Sequence, residues 1–174
     1  LINCCGLANF DPALSLSEAD EKAIWQVNYQ APIRLIKQVA ERNRKIRLVQ
    51  LSSLAALCPH PYLAAYSASK VALQTYCLAL QEELRLKGSG VTVCLYILGP
   101  VQTSIFPQEL QDALGGSQLQ MSPEIAARHI IRLLHQGRSY AIVGKRYRLL
   151  AWLMKLLPQR WIIRLIGTYL RKGL

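Results

Sequence analysis

Residues 91–97, VTVCLYI, are apolar at nearly every position. A strand with one wet face alternates apolar and polar residues; a run like this one needs cover on both faces, the condition of a strand inside a parallel sheet. IRLVQLS (46–52) reads as a second strand and SYAIVG (139–144) as a short one, while LINCCG (1–6) reads as a buried strand running into a glycine turn. Helical signals fill the gaps. Ser17-Glu18-Ala19-Asp20 has the form of a capping box and predicts a helix to about Arg44, with Pro32 marking a kink or break within it. A long helix is expected from about Tyr66 to Lys87, stopped by Gly88 and Gly90. Ser122-Pro123-Glu124 supplies an N-cap, a first-position proline and a first-turn acid for a helix ending at Gly137. Residues 146–172 read as two amphipathic helices split by Pro158. The order β-α-β-α-β-α-β-αα predicts an α/β fold, a parallel sheet with helices on both faces. Residues 1–145 would form the sheet domain and 146–174 a basic helical tail, with the polar stretch 111–120 expected to be mobile.

Charge divides the chain in the same place. The net charge is +11, yet residues 1–124 hold ten Lys/Arg and ten Asp/Glu, which cancel. Residues 125–174 hold eleven Lys/Arg and no acid, so the excess is confined to the last fifty positions. Arg160, Arg164 and Arg171 form one stripe of the last helix, beside Trp161, Ile162, Leu165, Ile166 and Tyr169. A basic stripe beside apolar bulk suits peripheral contact with an anionic membrane through 146–172. It equally suits a helix pair that roofs the sheet or a cleft, which would favour a lipophilic substrate. A nucleic-acid role is weak, since these basic residues sit in an apolar tail without a recognisable binding module. Charges at Lys155, Arg160 and Arg164 interrupt the C-terminal apolar runs, and prolines and serines interrupt 48–69, so no membrane span is expected. The five cysteines (Cys4, Cys5, Cys58, Cys77, Cys94) form no C-x-x-C and no metal-ligand spacing. They read as reduced thiols of a cytoplasmic protein, with Cys4 and Cys5 as buried strand residues.

Ligands of a doubly wound sheet sit outside the carboxyl ends of its strands. The residues there form a short set: Asn3, Cys4, Cys5 and Gly6 after the first strand, Ser52 and Ser53 after the second, and Gly99, Pro100, Val101 and Thr103 after the third. Tyr66 and Lys70, four residues apart and so on one helix face, open the helix that follows Ser53. His60 is expected to be a surface loop residue.

These residues resemble the short-chain dehydrogenases/reductases. YSASK (66–70) matches that family's active-site string, Ser53 precedes Tyr66 by 13 residues, and WQVNYQAP (25–32) matches the segment that carries its asparagine, here Asn28. LINCCG stands where N-N-A-G is usual and LGPVQTSI where P-G-x-V-x-T is usual. The resemblance implies a Rossmann-like doubly wound parallel sheet and an NAD- or NADP-dependent oxidoreductase interconverting hydroxyl and carbonyl groups. Asn28, Ser53, Tyr66 and Lys70 would be catalytic: Tyr66 as general acid/base, Lys70 lowering its pKa and holding the nicotinamide ribose, Ser53 holding the substrate oxygen, Asn28 holding a water beside Lys70. Asn3, Gly6, Gly99, Val101 and Thr103 would join Tyr66 and Lys70 in binding the cofactor. Such proteins often form homodimers or homotetramers through the helix bearing Tyr66 and Lys70. The glycine-rich phosphate turn of the family is not among these 174 residues, so the chain reads as an N-terminally truncated fragment lacking three strands, on the order of eighty residues by that resemblance. Alone it would then be poorly soluble and a weak dinucleotide binder. The alternative is a catalytically inactive relative acting as a membrane-associated or partner-binding module. A serine hydrolase is excluded by the lack of a G-x-S-x-G elbow.

Overall fold

The computed structural model describes residues 1–42, 45–105 and 120–171. The stretch expected to be mobile, 111–120, lies outside them except for Gln120. Four strands, β1 (Ile2–Asn3), β2 (Ile46–Ser53), β3 (Val91–Leu98) and β4 (Tyr140–Ile142), form one parallel sheet in the order β1-β2-β3-β4. Between β1 and β2 run α1 (Glu18–Trp25), a π-turn (Gln26–Gln30) and α2 (Ala31–Arg42). A 3₁₀ turn (Leu54–Ala56) and α3 (Ala64–Leu86) join β2 to β3, and α4 (Pro123–His135) precedes β4. The chain closes with α5 (Lys145–Leu156) and α6 (Gln159–Leu170). This is the α/β parallel sheet expected from the strand and helix order, and the Rossmann-like arrangement that the resemblance implied.

The apolar run in β3 has its cover on both faces. Val91, Val93 and Leu95 pack with Leu48 of β2 against Ile33 and Ile36 of α2 and Leu73 and Cys77 of α3. Cys94 and Tyr96 face the other way, into Ala126 and Ile130 of α4 and Tyr147 and Ala151 of α5. Each fully buried side chain of this size contributes about 1.5–3 kcal/mol, enough to fix the strand without any polar face. Tyr96 is wholly buried, yet its hydroxyl donates to Arg138 O at 2.8 Å, so the polar end is satisfied where α4 turns into β4.

Two local expectations change. β1 ends at Asn3, and Cys4 and Cys5 lie beyond it and are exposed rather than buried in a strand. The reason is local chemistry: Asn3 Oδ1 accepts from Cys5 N at 3.2 Å, which turns the chain out of the strand. Pro32 does not break the helix where it stands; the irregularity lies in the preceding turn. An α-helix would need a Pro32 N–H for the Asn28 carbonyl, which proline lacks, and Ala31 N instead donates to Gln26 O, five residues back. Among the described residues no helix is long and apolar enough to cross a membrane.

Candidate active site

The register of β2 on β3 pairs Ile46 with Val91 through to Ser53 with Leu98, so the two strands finish level. β1, paired beside β2, ends on the same edge. The loop after β3 folds back across it: the Ile105 side chain is 3.3 Å from where a Cβ on Gly6 would stand. The predicted site residues lie along this edge or on the start of α3, except Asn28, which the π-turn between α1 and α2 carries.

Lys70 is its centre. Only 5% of the residue is exposed, and Nζ donates to Leu51 O at 3.2 Å. The amine lies 5.8 Å from the centroid of the Tyr66 ring, one helical turn away, within reach of a cation–π contact. Burial brings the Lys70 pKa down to about 8, with the neighbouring Cys5 acting upward. A Cβ on Gly6 would stand 3.7 Å from Nζ and 3.8 Å from Asn28 Oδ1, so Gly6, Asn28 and Lys70 meet at one point.

Asn28 is fully buried, and its amide is used at both ends. Oδ1 accepts from Leu7 N at 2.9 Å, while Nδ2 donates to Leu7 O at 2.7 Å and to Ser69 Oγ at 3.0 Å. Ser69 in turn donates to Tyr66 O at 2.7 Å. The π-turn carries this residue, and a π-turn rotates a side chain off the helix face it would otherwise share. Asn28 thus ties the turn after β1 to the helix that bears Tyr66. The side chain is occupied in doing so, and a water beside Lys70 would have to be held by its carbonyl.

Tyr66 is buried, and its balance differs from the expectation from sequence. Burial dominates and holds the phenol above its ordinary pKa; a hydrogen bond with Ser53 pulls it back. Ser53 Oγ also accepts from Ala55 N at 3.2 Å, which fixes its rotamer at the head of the 3₁₀ turn. Ser52, by contrast, is buried and turned toward α3, with Oγ 3.4 Å from Lys70 O. Ser53 is therefore the serine on the open side. His60 is half-buried rather than a free surface residue: its Nδ1 lies 2.8 Å from Cys58 O, and burial lowers its pKa while that carbonyl acts upward.

The remaining predicted residues are less central. Asn3 Nδ2 donates to Gln50 Oε1 at 2.9 Å, Val101 bridges to Met121, and Thr103 Oγ1 donates to Val101 O at 3.5 Å. At Gly99, the space beside the Cα is filled from within the chain: a Cβ there would stand 2.5 Å from the Tyr147 ring. Tyr147 also donates to Pro100 O at 3.2 Å, so α5 pins the loop after β3 from behind. A Gly99→Ala variant is accordingly expected to lose about 1–3 kcal/mol of stability by overpacking, read as a lower denaturation midpoint in urea. Tyr147→Leu in the same background should restore part of it, and no loss in the single variant would refute the clash.

Ser69 and Tyr147 were not anticipated from sequence. Ser69 stands inside YSASK, where its signal is masked by its neighbours; Tyr147 carries no local signal, since its partner lies 47 positions away.

A family model described as short chain dehydrogenase matches residues 1–113. The short-chain dehydrogenase PC-15 of Penicillium crustosum is 32% identical over 131 residues, 73% of this chain and 47% of its own. The L-2,3-butanediol dehydrogenase of Corynebacterium glutamicum is 33% identical over 112 residues, 62% of this chain and 43% of its own. A solved 4-hydroxyisoleucine dehydrogenase complexed with NADH superposes with a TM-score of 0.69 at 26% identity, covering 83% of this chain and 66% of that one. This chain spans under half the length of those two curated relatives.

Proposed function

The chain belongs to the short-chain dehydrogenase family, and on that premise we propose that it serves an NAD- or NADP-dependent oxidoreductase that interconverts a hydroxyl and a carbonyl group. The observation that carries this reading is the meeting of Tyr66, Ser53 and Lys70 on one buried edge, with Asn28 and Gly6 against the lysine. The residues fit a nicotinamide nucleotide. Gly6 leaves open the space that a Cβ would take beside Lys70 Nζ. Lys70 is an ammonium with three N–H donors, of which one is directed at Leu51 O. Its other donors suit ribose hydroxyls, while Asn3, Gly6, Gly99, Val101 and Thr103 would line the remainder. The nucleotide, when bound, supplies the hydride.

The protein's own part is to hold the substrate oxygen and move one proton. Tyr66 Oη is the group that transfers it. Burial keeps the proton on the phenol at neutral pH, so Tyr66 is poised as the acid that protonates a carbonyl oxygen in reduction. Ser53 Oγ, fixed by Ala55 N, donates to the same oxygen and offsets charge developing on it. The Lys70 charge makes loss of the phenol proton easier in the opposite direction. Asn28 positions both by joining Leu7 to Ser69.

A lipophilic substrate belongs to this reading. Leu170 and Ile166 of α6 cluster with Tyr66, Leu63, Phe10 and Tyr62, an apolar wall beside the phenol. So does a reducing, cytoplasmic setting, since all five cysteines are free, and assembly as a homodimer or homotetramer through α3, where Val71 and Leu78 stay exposed. The test is turnover by the protein expressed from its whole open reading frame. Lipophilic ketones and aldehydes should drive oxidation of NADH or NADPH, and Ser53→Ala should slow it by about a hundredfold. No carbonyl-dependent oxidation of either nucleotide across the panel would overturn the proposal.

A further inference from the structure

The last two helices present an outer surface that the described residues leave uncovered. On α5, Leu149, Trp152, Leu153 and Leu156 lie on one face and are all exposed, beside Lys145, Arg148 and Lys155. On α6, Trp161, Leu165 and Tyr169 recur at four-residue intervals with 66%, 72% and 47% of their surface free, beside Arg160 and Arg164. Exposed Leu157 joins the two faces. Single exposed apolar residues need no explanation, but two adjacent helices each showing Trp and Leu outward do.

The charge chooses the occupant. Residues 125–174 contain no acid, and Trp152 and Lys155 border a cleft of about 580 Å³ whose other charged residues, Arg132, Arg138, Lys145 and Arg148, are again all cationic. A second copy docked on this surface would bring like charges together at close range, which is unfavourable. A polynucleotide would satisfy the cations and leave the leucines in water. An anionic bilayer satisfies both, with tryptophans at headgroup level and arginines paired with lipid phosphates. We infer that the outer faces of α5 and α6 seat this protein on an anionic membrane surface.

The inner face of α6 gives the contact a purpose. Ile166 and Leu170 belong to the cluster that includes Tyr66, and Gly167 lies against Pro61 of the loop leading into α3. One helix, about 10–12 Å across, therefore separates the lipid from the phenol. A lipophilic substrate dissolved in the bilayer would reach the site without crossing water, a step that rests on the substrate class proposed above; the membrane contact does not.

The experiment uses the whole protein in a Trp25→Phe background, and the signal of Trp152 and Trp161 is taken as the difference from the same protein with Trp152→Phe and Trp161→Phe. It is titrated with vesicles of phosphatidylcholine alone and of phosphatidylcholine with phosphatidylglycerol, without nucleotide or carbonyl. The expected result is a blue shift and sedimentation with the anionic vesicles only, reversed by salt. Arg160→Gln and Arg164→Gln should each weaken binding about fivefold, and Trp161→Ala with Leu165→Ala about tenfold or more. Leu86→Ala, exposed at the far end of α3, should change nothing. Equal binding to both vesicles, binding to neither, sedimentation without vesicles through self-association, or tighter capture by a polynucleotide would each overturn the inference. Because no turnover is read, its failure is separate from failure of the oxidoreductase reading.

Discussion

In a Tyr66→Phe variant, carbonyl reduction falls by about a thousandfold, the middle of the range for removing a positioned proton donor, while the fold and nucleotide affinity stay close to the parent's. The separation follows from where the hydroxyl sits. The ring of Tyr66 packs with Leu63, Ala8 and Leu170, and phenylalanine keeps those contacts. What is lost is the hydrogen bond with Ser53, a stability change of about 1 kcal/mol, and the phenol proposed to hand a proton to the substrate oxygen that Ser53 would hold. Lys70 is not expected to substitute: its amine donates to Leu51 O and lies over the Tyr66 ring, 5.8 Å from its centroid. The measurement is kcat from nicotinamide absorbance together with a nucleotide Kd by titration, in parent and variant. Parental turnover in the variant would remove Tyr66 from the chemistry, and with it the proposed reaction. A collapse of nucleotide affinity would mean instead that the phenol holds the cofactor more than the proton.

The parts of this site that were legible in the sequence are those set by spacing along one element or by the level ends of parallel strands. Tyr66 and Lys70 share a face because a helix repeats every 3.6 residues, and Ser53 is brought to them because β2 ends where α3 begins. The unbroken apolar character of 91–97 was enough to require two covering layers, and α2 with α3 and α4 with α5 provide them. What escaped was set by contacts distant in sequence or by the sum of many neighbours. Nothing near Gly99 announces that Tyr147 fills the space beside it. Cys4 and Cys5 have the composition of strand residues, and only the Asn3 side chain bending back to Cys5 N ends the strand before them. Asn28 was legible through the match of WQVNYQAP, but its bonds to Leu7 and Ser69 depend on a π-turn that no local propensity encodes. The pKa balance at Tyr66 was misjudged for the same reason: pairing with Lys70 is visible at four-residue spacing, whereas desolvation depends on everything packed around the phenol.

Desolvation also sets the second large effect, on stability. Lys70 titrates near 8 in the folded protein against 10.5 for an ordinary lysine. Its folded pKa is depressed, so below pH 8 both states carry the proton and the fold bears the full cost of a buried charge. Between 8 and 10.5 the unfolded chain binds more protons than the folded one, and stability rises with pH. From pH 7 to pH 10 the gain from this one residue is on the order of 2–3 kcal/mol. Over the same window the buried thiols act the other way, since Cys77 is pushed up to about 12 and Cys58 and Cys94 lie above the usual thiol range, so the Lys70 contribution is read in urea unfolding as the difference between the parent and Lys70→Met. In Lys70→Met this contribution should vanish, since the thioether has no proton to lose, while the thiol contributions remain. The variant should also be inactive, because the charge that eases deprotonation of Tyr66 is gone. At pH 7 it escapes the desolvation cost but leaves Leu51 O without its donor, a loss of about 1–3 kcal/mol, so the two proteins should be of similar stability there. By pH 10 the parent should be the more stable. Parent and Lys70→Met stabilities that run parallel from pH 7 to 10 would mean that Lys70 is solvated in solution, and an amine open to water could not act on Tyr66 as strongly as the proposed proton transfer requires.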